Sequence, residues 1–458
     1  MLPIPQPEKT ASISLKFVVV GGGLSGLATA YSLRTAGHDV VIVEQRDVHE
    51  ECEGSIRCPP NMTRILQRWP GMEEFFKHAA KISGLSFRIG ETCDSVGFMK
   101  LYDEIMEQLE ADFYVLQHND LKGELLSLCL AAGVEIVQGV VVDIETTGSY
   151  EVNVVLCDTR VIDGNIVIGA DGYKSITRAF ITPESEIVDD RTMNGVNISI
   201  PMKDLVSRPE LLALCQDREY TIWMSSGSSM TAILNSASET FNLSFCTPFP
   251  LEGQKAVIDN DEDGLEDGWD REYDISQLPI DVSKYDSRIA ELIQLGKTFR
   301  FTSQRVFEQE EIVGLDGMLV LVGDAAHSVL MHGSHNTSMA FEDAVTLGSL
   351  FSRLCSRDQI SALVDTYEEL RTLRTRATLT SEYQALLMIC LPPGSEQEGR
   401  DETLRLTRNR AEFKDFDDCD PESDLLVQVW EQYLVLFKYD AKEFVENWWS
   451  KWGFALTN

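Results

Sequence analysis

Three glycines and an acid fall within one short stretch, VVVGGGLSGLATAYSLRTAGHDVVIVEQ, at residues 18–45. Gly21, Gly23 and Gly26 fit the spacing GxGxxG, and each has its own task. The first turns the chain, the second lets the main chain approach a pyrophosphate, and the third lets a helix pack close to a strand. A helix N-terminus carries about half a positive charge, so it can hold a diphosphate without a lysine. Glu44, at the end of the next strand, is placed to accept hydrogen bonds from a ribose diol. Together these residues predict a site for an adenine dinucleotide.

Two more acids stand at strand ends. Asp324 follows the apolar run GMLVLVG and suits the hydroxyls of such a ligand, because ligands of open α/β sheets bind at the carboxyl edge. Asp171, between Gly169 and Gly172, is suited to organise the turn beside the pyrophosphate, with Arg178 a possible ion-pair partner. His327, His332 and His335 lie close together, but without a defined helix their spacing is poor for a metal, and none is expected. His332 and His335 remain candidates for acid/base work. DNDEDGLEDGWD at 259–270 partly matches a calcium loop but ends in Asp270 instead of glutamate, and a solvated acidic loop is the plainer reading.

These residues need elements to hold them. Lys16 to Val20 reads as a buried strand, the apolar spacing from Leu24 to Tyr31 as a helix ending at Gly37, and Val40 to Val43 as a second strand. A further helix is expected from an N-cap at Asp120 to Gly133, followed by the strand VEIVQGVVVDIE and then by NIVIGAD. Residues 190–310 alternate like a separate mixed sheet, and the C-terminal third reads as helical. The fold class is therefore α/β: a Rossmann-type dinucleotide-binding domain with an inserted mixed β-sheet substrate domain and C-terminal helices. The expected divisions are 14–190 with a small insertion near 75–115, the sheet at 191–310, a second binding part at 311–390, and a helical extension at 391–458. The wall of a substrate pocket is sought around Ile198, Ile200, Ile222, Trp223 and Met224, although the plainer reading of each is core packing. Trp448, Trp449 and Trp452 are expected to pack as helical core.

With 458 residues and 43% hydrophobic composition, the chain can enclose a cofactor-sized cavity. Its formal net charge of −35 would repel phosphate backbones and anionic lipid, so no nucleic-acid partner is expected. The ten cysteines contain no CxxC pair, MLPIPQPEKTASISLKF does not resemble a signal peptide, and no apolar run is long enough for a membrane span. The expected location is cytoplasmic.

GADGYKSITR at 169–178 and GDAAHSVLMHGSHNTSMAFEDA at 323–344 follow the N-terminal motif in order. The three together resemble the fingerprints of the group A FAD-dependent monooxygenases, the p-hydroxybenzoate hydroxylase fold. EGSIRCPPNMTRILQRW at 53–69, YEELRTLR at 367–374 and PPGSEQEGRDE at 392–402 are similar to the fungal salicylate hydroxylase-like branch. This resemblance implies FAD as cofactor, NAD(P)H as transient reductant, dioxygen as co-substrate, and hydroxylation or epoxidation of an aromatic or polycyclic small molecule in secondary metabolism. It also implies cofactor contacts at Ser55, His118 and Thr337, and places Arg57 near the isoalloxazine, where a guanidinium could stabilise developing negative charge.

The chain departs from the family pattern at four places. Met331 replaces a proline of the flavin loop, and Ser334, His335 and Asn336 replace a Gly-Gln-Gly turn. His118 stands where relatives carry an arginine that contacts FAD. NGVNISIP lacks an active-site arginine, Asn197 and Ser199 being the nearest substitutes. An altered loop leaves a second possibility: the same fold working as a cyclase, isomerase or oxidase.

Overall fold

Lys16–Val20 (β1) is β-branched and aromatic, and its last four residues are buried, as a strand covered on both faces requires. The structure is a computed structural model. It describes residues 10–50, 54–182, 192–215, 218–235, 239–247, 272–305, 309, 311–327, 333–408 and 434–453. The acidic stretch 259–270, Met331 and His332 lie outside the described residues.

Around β1 a six-stranded sheet assembles from Asp39–Glu44 (β2), Glu135–Gln138 (β8), Ile166–Gly169 (β12), Val313–Gly314 (β19) and Leu319–Leu321 (β20). Its order is β19-β20-β12-β1-β2-β8, and every pair is parallel except β19 with β20. The carboxyl ends of β1, β2, β12 and β20 therefore reach one edge. The long predicted strand VEIVQGVVVDIE is in fact two. After β8 the chain turns at Gly139, and Val141–Gly148 (β9) joins Glu151–Leu156 (β10) and Val161–Gly164 (β11) in a separate antiparallel sheet. Leu24–Thr35 (α1) packs beside β1, and the helix expected from Asp120 begins earlier, as His118–Ala132 (α3).

Eight strands make the second large sheet: Gly84–Ile89 (β5), Ser95–Lys100 (β6), Thr192–Pro201 (β13), Glu219–Ser225 (β14), Ser228–Asn235 (β15), Thr240–Thr247 (β16), Glu272–Asp274 (β17) and Thr298–Arg305 (β18). The order is β17-β18-β13-β16-β15-β14-β5-β6, so residues 84–100 complete a sheet otherwise built from 192–305. A small third sheet, Ser55–Cys58 (β3), Tyr114–Gln117 (β7) and Ala80–Lys81 (β4), connects the two halves. The segment between β3 and β4 opens with Pro60–Gln67 (α2).

On β13 the period of two puts Val196, Ile198 and Ile200 on one face, buried in a cluster with Ile289, Leu292 and Ile293 of Ser287–Leu295 (α4). Trp223 is fully buried in that same core. Ile222 and Met224 sit in another core cluster with Tyr102 and Ile105. None of the five candidates for the pocket wall lines it. Ile198, Ile200 and Trp223 belong to the face buried with α4, whereas Ile222, which pairs with Thr231, and Met224 lie on the opposite face but are covered there by the cluster of Tyr102 and Ile105, leaving the polar positions of that face to line the cavity.

Asn336–Phe351 (α5), Ile360–Ile389 (α6), Ser395–Arg408 (α7) and Ala441–Trp452 (α8) form the helical part. Trp449 is buried against the main core, whereas Trp452 is exposed. A cluster of buried charge ties these helices together. Arg371 of α6 donates to Asp343 at 2.6 Å and to Glu342 at 2.9 Å, and Arg374 donates to Glu342 at 2.9 Å. Asn61 of α2 also donates to Glu342, at 2.8 Å, and the Gly323 N–H donates to Asp343 at 2.8 Å. Burial alone would raise both carboxyls, but Arg374 and Arg371 hold Glu342, and Arg371 and His327 hold Asp343, below the ordinary range. Removing one member leaves its partners charged and dry, so Arg371→Met should lower stability by about 3–5 kcal/mol, read from urea unfolding. A loss under about 1 kcal/mol would show that α5 is held by something else.

Candidate active site

Gly21 must be glycine. It adopts φ +107°, and a Cβ there would stand 2.3 Å from the Ala170 oxygen. Gly26 is equally confined, its missing Cβ falling 1.9 Å from the Gly21 oxygen, so α1 presses directly on the turn. At Gly23 a Cβ would meet nothing within 4 Å. The first two glycines serve protein packing, and the third keeps space clear for a ligand.

That space is a cavity of 380 Å³. One side is made by the start of α1 (Gly23, Leu24, Ser25), Gly172 after β12, Asp324 after β20, and Gly333, Ser334, Asn336 and Thr337 around the start of α5. The α1 and α5 N-termini both lack a side-chain cap and both reach this cavity. Their first-turn N–H groups have no intrahelical acceptor, so each end suits a phosphate or carbonyl oxygen. Gly54 and Gly172, like Gly23, line the cavity with open space where a Cβ would be. These open glycines and uncapped helix ends fit a bound dinucleotide.

The predicted residues separate into those that reach the cavity and those that support it. Ser55, Arg57, His118, Asp324 and Thr337 line it. Glu44 lies at a second hollow, of 260 Å³, beyond the end of β2, where its carboxylate accepts from the N–H groups of Gly22 at 2.5 Å and Arg46 at 2.9 Å. Asp171 organises its turn, accepting from the Thr177 N–H and from the hydroxyls of Ser175 and Thr177. Arg178 reaches across from that turn and donates to the carbonyls of Tyr173 at 2.6 Å and Ala325 at 3.2 Å, which binds the β12 and β20 loops to each other. His335 is displaced from its expected place. It is buried beneath the loop, bonded to Glu382 and stacked on Phe437, because it sits where the chain enters α5. Among the described residues no group of three His, Cys, Asp or Glu is arranged to hold a metal.

The other wall is the polar face of the large sheet. Register places Arg300, Asn197, Ser244 and Thr231 side by side across β18, β13, β16 and β15, and all four line the cavity. Ser244 donates to Asn197 at 2.6 Å, and Asn242 donates to Ser55 at 2.9 Å. Arg57 of β3 lies with its guanidinium 5.4 Å from the centre of the Tyr220 ring. Asn197 was foreseen as a substitute for the absent arginine; Arg300 beside it was not. The alternation of TFRFTSQR, with Phe299 and Phe301 in the core, is the signal that could have found it.

The chain matches the FAD binding domain family over residues 14–288. It belongs to that family. It is a group A FAD-dependent monooxygenase, with FAD as its cofactor and NAD(P)H as the reductant typical of such enzymes. The FAD-dependent monooxygenase OpS4 of Beauveria bassiana is 25% identical over 87% of this chain and 91% of its own length. Hispidin-3-hydroxylase of Neonothopanus nambi is 25% identical over 81% and 88%. Among solved structures, CtdE in complex with FAD and a substrate superposes with a TM-score of 0.71 at 15% identity, covering 97% of this chain and all of that one. A salicylate hydroxylase substrate complex gives 0.66 at 16% identity, covering 94% and 97%. These two likenesses bear on the fold.

In the FAD-binding half, burial lifts the Asp324 carboxyl from 3.8 to about 6; His327 opposes the rise, Asp343 adds to it and Arg178 opposes it. A raised carboxyl lowers the stability of the apoprotein as pH climbs from 3.8 to about 6. Hydroxyl donors on the FAD chain would favour the ionised form, so FAD binding should release a proton. The affinity is therefore expected to improve with pH up to about 6 and to fall by up to about tenfold per unit below it. Flavin fluorescence titration of the apoprotein between pH 5 and 7.5 measures this, and Asp324→Asn should remove most of the dependence.

Proposed function

We propose that this enzyme hydroxylates an aromatic small molecule that carries oxygen substituents, consuming one NAD(P)H and one dioxygen per turnover. One oxygen atom enters the substrate and the other leaves as water. The carrying observation is that the cofactor-loop residues and the polar row of the large sheet line the same cavity. Bound FAD supplies dioxygen activation and oxygen transfer once NAD(P)H has reduced it.

The protein's part is to bind, orient and keep dry. Val115, Ile233 and Phe245 give the cavity apolar surface for a ring. Arg300, Asn197 and Ser244 offer a charged donor, an amide and a hydroxyl in one line, which suits a phenolic or carboxylate oxygen. Arg300 also donates to Glu272 at 3.3 Å and Ser244 to Asn197, so a substrate without such oxygens would displace water from this row and give it no new partner in return, which costs binding free energy. Arg57, beside Tyr220, is placed to stabilise negative charge that develops on substrate or cofactor. Two curated relatives carry names of enzymes that hydroxylate or monooxygenate hispidin and an aminohydroxybenzoate, which supports an oxygenated aromatic here. A role in secondary metabolism and a cytoplasmic location belong to the same reading; among the described residues no helix is long and apolar enough to cross a membrane.

The test is turnover with candidate phenols and aromatic acids under isotopically labelled dioxygen. Labelled product, with NADPH oxidised in step, is expected; conversion that needs no reductant would point instead to the cyclase or isomerase reading. Arg300→Met should raise KM for substrate by about tenfold or more while FAD binding holds. Arg57→Met should lower kcat, and unchanged turnover would remove Arg57 from the mechanism.

A further inference from the structure

One buried carboxylate at the flavin loop is used by nothing described so far. Glu382 lies on α6 in the stripe that carries Arg371, Arg374 and Thr378, and its side chain is 9% exposed. One of its oxygens, Oε1, accepts the Ser334 N–H at 2.5 Å, the His335 N–H at 2.9 Å, and the His335 ring at 2.8 Å from Nδ1. The other, Oε2, is buried with no hydrogen-bond partner among the described residues. It lies so close to Gly333 that a Cβ there would fall 1.8 Å from it.

This is where Ser334, His335 and Asn336 replace the Gly-Gln-Gly turn of the family pattern. The chain enters α5 through His335, which gives the helix no side-chain cap. Instead, a carboxylate from a different helix gathers the two N–H groups just before α5. The first turn, including Thr337, is then turned to the cavity. Burial by itself would favour the protonated acid, but the His335 contacts and the Arg57 charge overcome this and keep the carboxyl below its ordinary range. A negative charge also suits the positive end of α5.

We propose that Glu382 is the positioning residue of the cofactor loop: it fixes the main chain of residues 333–335 for FAD, and its charge, balanced by Arg57, helps set how readily the bound FAD is reduced. Two consequences differ from those of a merely structural residue. Geometry depends on an acceptor, which glutamine retains in part and alanine lacks. The electrostatic effect depends on charge, which glutamine also lacks.

The experiment uses the full chain with Glu382→Ala, Glu382→Gln and Gly333→Ala, each checked for cooperative thermal unfolding. FAD affinity is read by fluorescence titration and the reduction equilibrium by spectroelectrochemistry. Glu382→Ala and Gly333→Ala should bind FAD about tenfold or more weakly, while Glu382→Gln stays within about threefold of wild type. Glu382→Gln should shift the equilibrium toward reduced FAD by roughly tenfold, as expected when one negative charge leaves a partly desolvated site. If Glu382→Ala does not fold, the glutamine and Gly333 variants decide. Unchanged FAD affinity in Gly333→Ala and Glu382→Ala, or an unmoved reduction equilibrium in Glu382→Gln, would overturn the proposal.

Discussion

Two acids and two arginines, sealed from water at the crossing of α5 and α6, fix the geometry on which the site depends. Glu342 and Asp343 follow Thr337 on α5, and through the Gly323 N–H the same Asp343 holds the turn that presents Asp324. One ionic cluster thus sets two of the elements that line the cavity. Arg374 and Arg64 extend the arrangement by donating to the carbonyls of Leu436, Phe437 and Tyr439, which fastens the C-terminal segment over the cluster. Buried charges hold one arrangement firmly because any slippage strands an ion without its partner.

The cavity follows a division of labour between faces. The Rossmann-like half contributes backbone, glycines and uncapped helix ends, groups that bind a diphosphate or a carbonyl without extra charge. The large sheet contributes side chains in register. Its apolar face is occupied by α4 and the core beneath it, so the cavity is lined by a polar row that ends in Arg300. A site of this form positions and dries its substrate and leaves oxygen activation to FAD.

Much of the first half was legible in the sequence because local rules decide it. GxGxxG, the buried strands and the acid at the strand end each depend on neighbours a few residues away: Gly21 takes the positive-φ turn, and Gly23 and Asp324 line the cavity. The large sheet is legible as a sheet, and core packing as the plainer reading of its apolar residues, but not which of its side chains line the cavity. Ile198 and Trp223 are apolar for the sake of the core, and which face of a strand meets a ligand is decided by what packs on the other. Glu382 was illegible for a different reason. A polar residue in the middle of a long helix gives no local sign that its partner is a loop 48 positions earlier in the chain.

A crystal structure of the holoenzyme with an aromatic substrate would test the central claim most directly. The account predicts the FAD ring inside the 380 Å³ cavity, between the Gly333–Thr337 loop and the Arg300–Thr231 row, with a substrate oxygen within hydrogen-bond distance of Arg300 or Asn197. A ring bound elsewhere, or a substrate resting on the apolar face of the sheet, would contradict it.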